Sequence, residues 1–301
     1  MNEITYNLKK LDYEPLFSIL IPTWNNFEYV KLCVDSIQKN SKFRHQIVLH
    51  INDGNDGTAD WAEENSISYS YSKENVGVCY AFNAASNLAI SEYIVLIDDD
   101  NYLAPNWDSY LYDEIEKLDH NYFAISATRM EIDADKPYKI TSKNYGATAA
   151  EFDEELFLKE VDSYELADWS GSSWYPMVIH RDLWNLVGGL SVEFSPGMGS
   201  DPDFSMKLWD AGVRHFQGVG NSRSYHFMSK TAHRIRKNDS RRQFALKWFM
   251  NISTFYKYFL NMGKPFSSQS TFVPTNKLKC RLMRDQIKRV THSLTPHKYR
   301  K

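Results

Sequence analysis

An open, mainly parallel α/β sheet is the fold this sequence predicts, and three features of its opening third predict it. Apolar runs of strand length stand at 17–22 (FSILIP), 46–51 (QIVLHI), 67–71 (ISYSY) and 93–97 (YIVLI). Helical patterns near 27–39, 57–65 and 77–90 lie between them, so strand and helix alternate as a parallel sheet requires. Each run also ends in a polar segment, and ligands of such sheets bind beyond the carboxyl ends of the strands.

Those four ends carry the informative residues. Pro22-Thr23-Trp24-Asn25-Asn26 follows the first run and Asn52-Asp53-Gly54-Asn55-Asp56-Gly57-Thr58 the second. Glu74-Asn75-Val76-Gly77 follows the third and Asp98-Asp99-Asp100-Asn101 the fourth. No GxGxxG follows the first strand, which argues against a dinucleotide fold of the usual kind. The Asn-Asp-Gly repeat is superficially similar to a calcium loop but lacks the spacing and the terminal Glu; otherwise it reads as a turn rich in Asx and Gly.

Beyond residue 118 the pattern loosens. YFAISATRM (122–130) reads as a strand, and Trp169 to Pro176 as a pocket wall or a twisted strand. A glycine loop then leads into a helix closed by Gly212, which places Asp201 near the helix N-terminus and makes Asp203 the expected cap. Residues 240–262 read as one amphipathic helix with an aromatic stripe. From 277 to 301 there are nine Lys or Arg and one acid, Asp285, interleaved with Leu278, Leu282, Met283, Ile287, Val290 and Leu294. Such a segment either packs on the domain with its charges in water or lies on anionic lipid.

Composition narrows the class. The 301 residues are 43% hydrophobic and include 8 Trp, 17 Phe and 19 Tyr, too many large apolar side chains for a disordered chain. The three Cys are odd in number and far apart, which fits neither a disulfide framework nor a zinc site. The N-terminus has no apolar signal segment and no run is long enough to span a membrane, so a cytoplasmic location is expected, with peripheral contact at the inner face of a membrane through 277–301.

Three adjacent Asp at the end of an apolar strand repel one another, and a cation is their natural partner. Hard carboxylates without nearby Cys select Mn²⁺ or Mg²⁺, and so few protein ligands leave room for substrate phosphates. Asp53 could accept a hydrogen bond from a base N–H. Asp201, far off in sequence, could act as a base rather than a ligand. Metal, diphosphate and a free carboxylate describe a group transfer with a nucleotide leaving group.

At this point FSILIPTWNN, Asn52 to Thr58, Glu74 to Gly77, Ile97 to Asn101 and Asp201-Pro-Asp203-Phe-Ser-Met-Lys-Leu-Trp-Asp-Ala-Gly212 together resemble family 2 glycosyltransferases of the GT-A fold, over about residues 15–230 and in the family's order. The resemblance implies an inverting enzyme with a nucleotide-sugar donor. It assigns Thr23 and Asp53 to the nucleobase, Asn75 and Gly77 to the base and ribose pocket, Asp98 and Asp99 to the donor, and Asp100 to the metal. Asp201 matches the general base, His226 a metal-binding His, and Lys230 a basic residue meeting the diphosphate. Trp24 stands where the family usually has Tyr, Phe82 where it commonly has Arg, and Ser200 where a Glu precedes the base.

The reading is a GT-A domain over 1–235, with a nucleotide-binding half at 15–105 and an acceptor half at 106–235, followed by a basic helical extension at 236–301. Its activity would be metal-dependent transfer from a UDP-sugar to a hydroxyl of a glycan or glycolipid, with no nucleic-acid partner. Two alternatives stay open: a nucleotidyltransferase acting on sugar phosphates, and a non-catalytic sugar-nucleotide or glycan-binding module.

Overall fold

The second strand explains the core. In the computed structural model, which describes residues 3–134, 136–229, 238–268 and 272–294, strand β2 (Phe17–Trp24) buries every residue from Phe17 to Ile21. A strand buried on both faces reads as a continuous apolar run, and its alternating side chains serve two separate layers. Phe17, Ile19 and Ile21 meet helices α1 (Phe27–Asn40), α2 (Thr58–Glu64) and α4 (Trp107–Ile115). Leu20 turns to the other layer, formed by α3 (Val78–Ser86), α6 (Arg181–Val187) and α7 (Ser200–Asp210).

Around β2 the order is β1 (Ile4–Asn7), β4 (Ser68–Ser72), β3 (Gln46–Asn52), β2, β5 (Tyr93–Leu96), β10 (Met177–His180), β7 (Phe123–Glu131), β11 (His215–His226) and β6 (Asn101–Leu103). Strands β4, β3, β2 and β5 are mutually parallel, as the sequence predicts. Three of the five expected strands start at the predicted residue, and β4 and β7 start one residue late, at Ser68 and Phe123. Strand β10 was not visible in the sequence. It lies antiparallel between β5 and β7 and joins the two halves of the sheet. Short strands β8 (Lys139–Thr141) and β9 (Trp169–Ser170) pair with β7 and β11, and α5 (Glu154–Glu160) is the one α-helix among the described residues of the loose 119–168 stretch.

The predicted long helix over 240–262 is broken. Helix α8 (Ser240–Trp248) stops where Phe249 adopts φ 58°, and α9 (Ile252–Thr254) resumes after Asn251. A left-handed residue cannot continue a right-handed helix, and the aromatic stripe gave no sign of it. Phe244, Phe255 and Leu260 still bury themselves, in the same cluster as Leu20, Phe82 and Phe204. Helix α10 (Asn276–Leu294) appears where the basic segment predicts it. No described helix is long and apolar enough to cross a membrane.

Candidate active site

The carboxyl ends of β2, β3 and β5 face the start of α7 across a cavity of about 440 Å³. Thr23 and Trp24 come from β2, Asn52 from β3, Asn75 and Gly77 from the next loop, and Asp98 to Asp100 from the turn between β5 and β6. Asp201 closes the opposite side from the first turn of α7.

Local chemistry fixes each wall. Asn52 Oδ1 accepts the Val76 N–H at 2.9 Å, tying the end of β3 to the Asn75 loop. Asn75 Oδ1 accepts the Gly77 N–H at 2.8 Å, an Asx turn. Gly77 has φ 80°, and a Cβ there would lie 3.0 Å from Pro196 Cα, so only glycine lets the two loops touch. Asp53 is placed differently from the other expected donor residues. Asn52 lines the cavity at that strand end, while the Asp53 carboxylate accepts from Asn25 Nδ2 at 2.9 Å and from Asn55.

The three aspartates are not equivalent. Arg129 Nη2 donates to Asp98 Oδ2 at 2.6 Å. Asp99 is raised to about 8 by burial first and by the charge of Asp100 second, against smaller opposing effects of Thr23 and Asn26. Burial would also raise Asp100, but the charge and hydrogen bond of His226, the Ser229 N–H at 2.7 Å and the Arg129 guanidinium bring it down to about 2. Burial and the neighbouring charge thus push Asp99 towards its protonated form, while its partners favour the ionised form of Asp100.

His226 reaches Asp100 because β11 pairs antiparallel with β6, placing His226 opposite Asn101. Its Nε2 lies 3.4 Å from Asp100 Oδ1, and its Nδ1 lies 2.8 Å from Glu131 Oε1. Glu131 also pairs with Lys139. Burial and Arg129 would lower the imidazole, but Asp100 and Glu131 outweigh them and raise it.

Donor atoms of Asp98, Asp100 and His226 lie within 4.8 Å of one another. Two carboxylates and an imidazole form a mixed oxygen and nitrogen set of the kind that holds divalent cations. Glu131 on Nδ1 leaves Nε2 as the atom turned to the cluster, the arrangement of a carboxylate-oriented histidine ligand. The residues present fit a divalent cation. Asp98 joins this set, whereas the sequence placed it only on the donor.

Burial raises Asp201 to about 7, helped by the charge of Asp98 and opposed by Arg129, Tyr175 and Ser200. A carboxylate with that pKa facing a cavity can accept a proton near neutrality. Asp203 is not the cap the sequence suggested. Gly199 precedes the helix, and Asp203, fully buried, accepts from Trp248 Nε1 at 2.7 Å and faces Lys247 Nζ at 2.9 Å. Lys230 lies outside the described residues.

Arg129 and Glu131 were missed. Their signal was two charges of opposite sign at alternate positions closing an otherwise uncharged strand, hence on one face of it. Arg129 brings to the cavity the guanidinium that Phe82, fully buried in the core, does not.

The sequence pattern described as "Glycosyl transferase family 2" matches residues 18–179, more than half of the chain. Glycosyltransferase GlyG of Streptococcus pneumoniae is 25% identical over 207 residues, 64% of this chain and 64% of that protein, so the match spans slightly less than two thirds of the relative. Hyaluronan synthase of Pasteurella multocida is 35% identical over 97 residues, 31% of this chain and 10% of that one. Among solved structures, S. aureus TarS 1-349 in complex with UDP-GlcNAc is alike over 92% of this chain and 81% of that chain, with a TM-score of 0.55 at 14% identity, a likeness of fold. The length of the family match, with the order of strand-end motifs it spans, means that this chain belongs to glycosyl transferase family 2.

Proposed function

We propose that the chain is an inverting, metal-dependent glycosyltransferase that moves a sugar from a UDP-sugar to a hydroxyl of a glycan or glycolipid. The observation that carries this reading is the pairing, across one cavity, of the Asp98–Asp100–His226 cluster with Asp201. Mn²⁺ or Mg²⁺ held by Asp98, Asp100 and His226 would supply charge neutralisation for a leaving diphosphate. Thr23, Asn75 and Gly77 line the wall assigned to base and ribose, with Asn52 where Asp53 was expected, and the fold relative holds UDP-GlcNAc. Asp99 lines the same cavity and is kept as a donor contact. Arg129 presents a fixed guanidinium, and Lys230 is kept as a second cation for the phosphates.

Asp201 takes the acceptor proton as that oxygen attacks the anomeric carbon from the face opposite the leaving group. One displacement inverts the centre. Asp203, bound to Trp248 and Lys247, holds α7 in place instead of competing for this role. The domain is taken as 1–235 and the basic extension as 236–301.

The test is a donor screen reading nucleoside diphosphate release from UDP-, GDP- and dTDP-sugars, with and without glycan acceptors. Release with a UDP-sugar that quickens with acceptor and vanishes in Asp201→Asn is the expected result. Release of pyrophosphate from a nucleoside triphosphate and a sugar phosphate would replace this reading with a nucleotidyltransferase.

A further inference from the structure

Helix α10 has two faces, and only one of them is used by the fold. On the inner face Leu278 is buried, and Asp285 accepts from the Asn251 N–H at 3.0 Å and from Thr254 Oγ1 at 2.5 Å. Gln286 Nε2 donates to the Phe249 carbonyl at 2.6 Å, and the Arg289 guanidinium stands 4.3 Å from the Phe249 ring centroid. On the outer face Met283, Ile287, Val290 and Leu294 are 61, 69, 52 and 80% exposed. Steps of four, three and four residues put them on one stripe, and at about 100° per residue that stripe lies roughly opposite Leu278 and Asp285.

The charges follow the same division. Lys279 and Arg284 flank the stripe and Lys277 and Lys288 stand exposed farther round the helix, while the only acid of the helix, Asp285, is buried and engaged. The outward surface of the described helix therefore offers apolar side chains and cations, and no carboxylate.

We propose that this face of α10 lies on a bilayer of anionic lipid and that the acceptor of the transfer is a glycan carried on lipid; the second half rests on the transferase reading above. An apolar ridge enters the headgroup boundary while flanking Lys and Arg extend to anionic headgroups. A second copy of the chain fits less well, because a twofold helix pair would set the same cations against one another. The position of the helix supplies the link to the site. Arg242 Nε donates to the His292 carbonyl at 2.9 Å, tying the last turn of α10 to the first turn of α8. Just before α8, Asn238 Nδ2 donates to the carbonyl of Met198, a cavity residue three positions from Asp201, at 3.0 Å. The last turn of α10 is thus joined, through the start of α8, to the loop that leads to the proposed base.

The experiment uses the full chain in co-sedimentation with vesicles of phosphatidylcholine alone or mixed with phosphatidylglycerol. Binding should appear with the anionic vesicles and weaken as salt rises. Ile287→Ser with Val290→Ser, and separately Lys277→Glu with Lys288→Glu, should each weaken it by ~10-fold or more. Circular dichroism and the thermal midpoint should move little, since these side chains are exposed, and turnover of a soluble acceptor should be kept. A lipid-linked acceptor in anionic vesicles should be used faster than its water-soluble analogue by wild type and not by the variants. Equal binding to neutral vesicles, unchanged binding by both variants, or a dimer in light scattering that the Ile287→Ser, Val290→Ser protein loses would overturn the proposal. Vesicle binding with no diphosphate release from any donor would instead remove the transferase reading and leave the lipid face standing.

Discussion

A carboxylate with a pKa near 7 is half protonated at neutral pH, and Asp201 is brought there by burial and by the charge of Asp98. The sign of its pH dependence follows. A proton acceptor works when ionised, so turnover should rise with pH and level off above about 7, and Asp201→Asn should lose that limb together with ~10²–10⁴ of rate. Stability runs the other way. The folded state holds this proton more tightly than the unfolded chain, so the contribution of Asp201 to stability falls as pH rises from about 4 to about 7. Above pH 7 Asp201→Asn should therefore melt no lower than wild type, and a clear loss of melting temperature there would show the charge to be structurally required. Glu131 acts through another residue. Glu131→Gln keeps an acceptor for His226 Nδ1 but removes the charge that pairs with Lys139 and weakens the hydrogen bond that helps Asp100 raise the imidazole. Mn²⁺ affinity, read by calorimetry or electron paramagnetic resonance without any donor, should fall roughly 10–100-fold. Unchanged affinity would mean that the cation is held by Asp98 and Asp100 alone.

Elements in this protein are placed by side chains that reach across the sequence. Asp56 accepts the Phe27 N–H at 2.9 Å and the Thr58 N–H at 3.2 Å, and so serves the first turns of α1 and α2 together. Asp56→Ala should lower stability by about 1–2 kcal/mol in urea titration, with little change in donor affinity. Donor binding that falls as steeply as stability would place Asp56 in the site itself. The Asx-rich loop was legible as a turn, but that Asp56 serves two helix starts while Asp53 binds Asn25 and Asn55 was not, because either carboxylate suits either task until the backbone aims it. Asp203 failed for the same reason. A carboxylate two residues after the proposed base looks like a cap, and only the fold shows Trp248 and Lys247, more than forty residues on, claiming it.

At the scale of the whole molecule the sequence was most readable where burial is simplest. The runs buried on both faces of the sheet announce themselves, while β10, β6 and the break at Phe249 depend on partners far away in the chain. The cavity likewise joins groups no local pattern connects: Asp98 and Asp100 from one turn, Arg129 from β7, Asp201 from α7 and His226 from the end of β11. A cation seated among them would bind the folded chain alone. Mn²⁺ at one hundred times its dissociation constant should add about 2.7 kcal/mol, a rise of a few degrees in melting temperature, and chelator should reverse it. Asp100→Ala should erase the rise; its persistence would place the cation elsewhere.

Strand β10 sits between β5 and β7, yet it begins at Met177, 81 positions after β5 ends at Leu96. During synthesis the buried residues Ile94 to Leu96 thus wait with one row of amide and carbonyl groups unpaired. A bare apolar edge is a template for the next chain. A fragment ending at residue 105 should self-associate in light scattering at concentrations where the full chain does not, and a monodisperse fragment would show that the β5 edge is covered without β10. The first hundred residues, whose strands are the easiest to read in the sequence, should therefore need the later β10 to stay in solution.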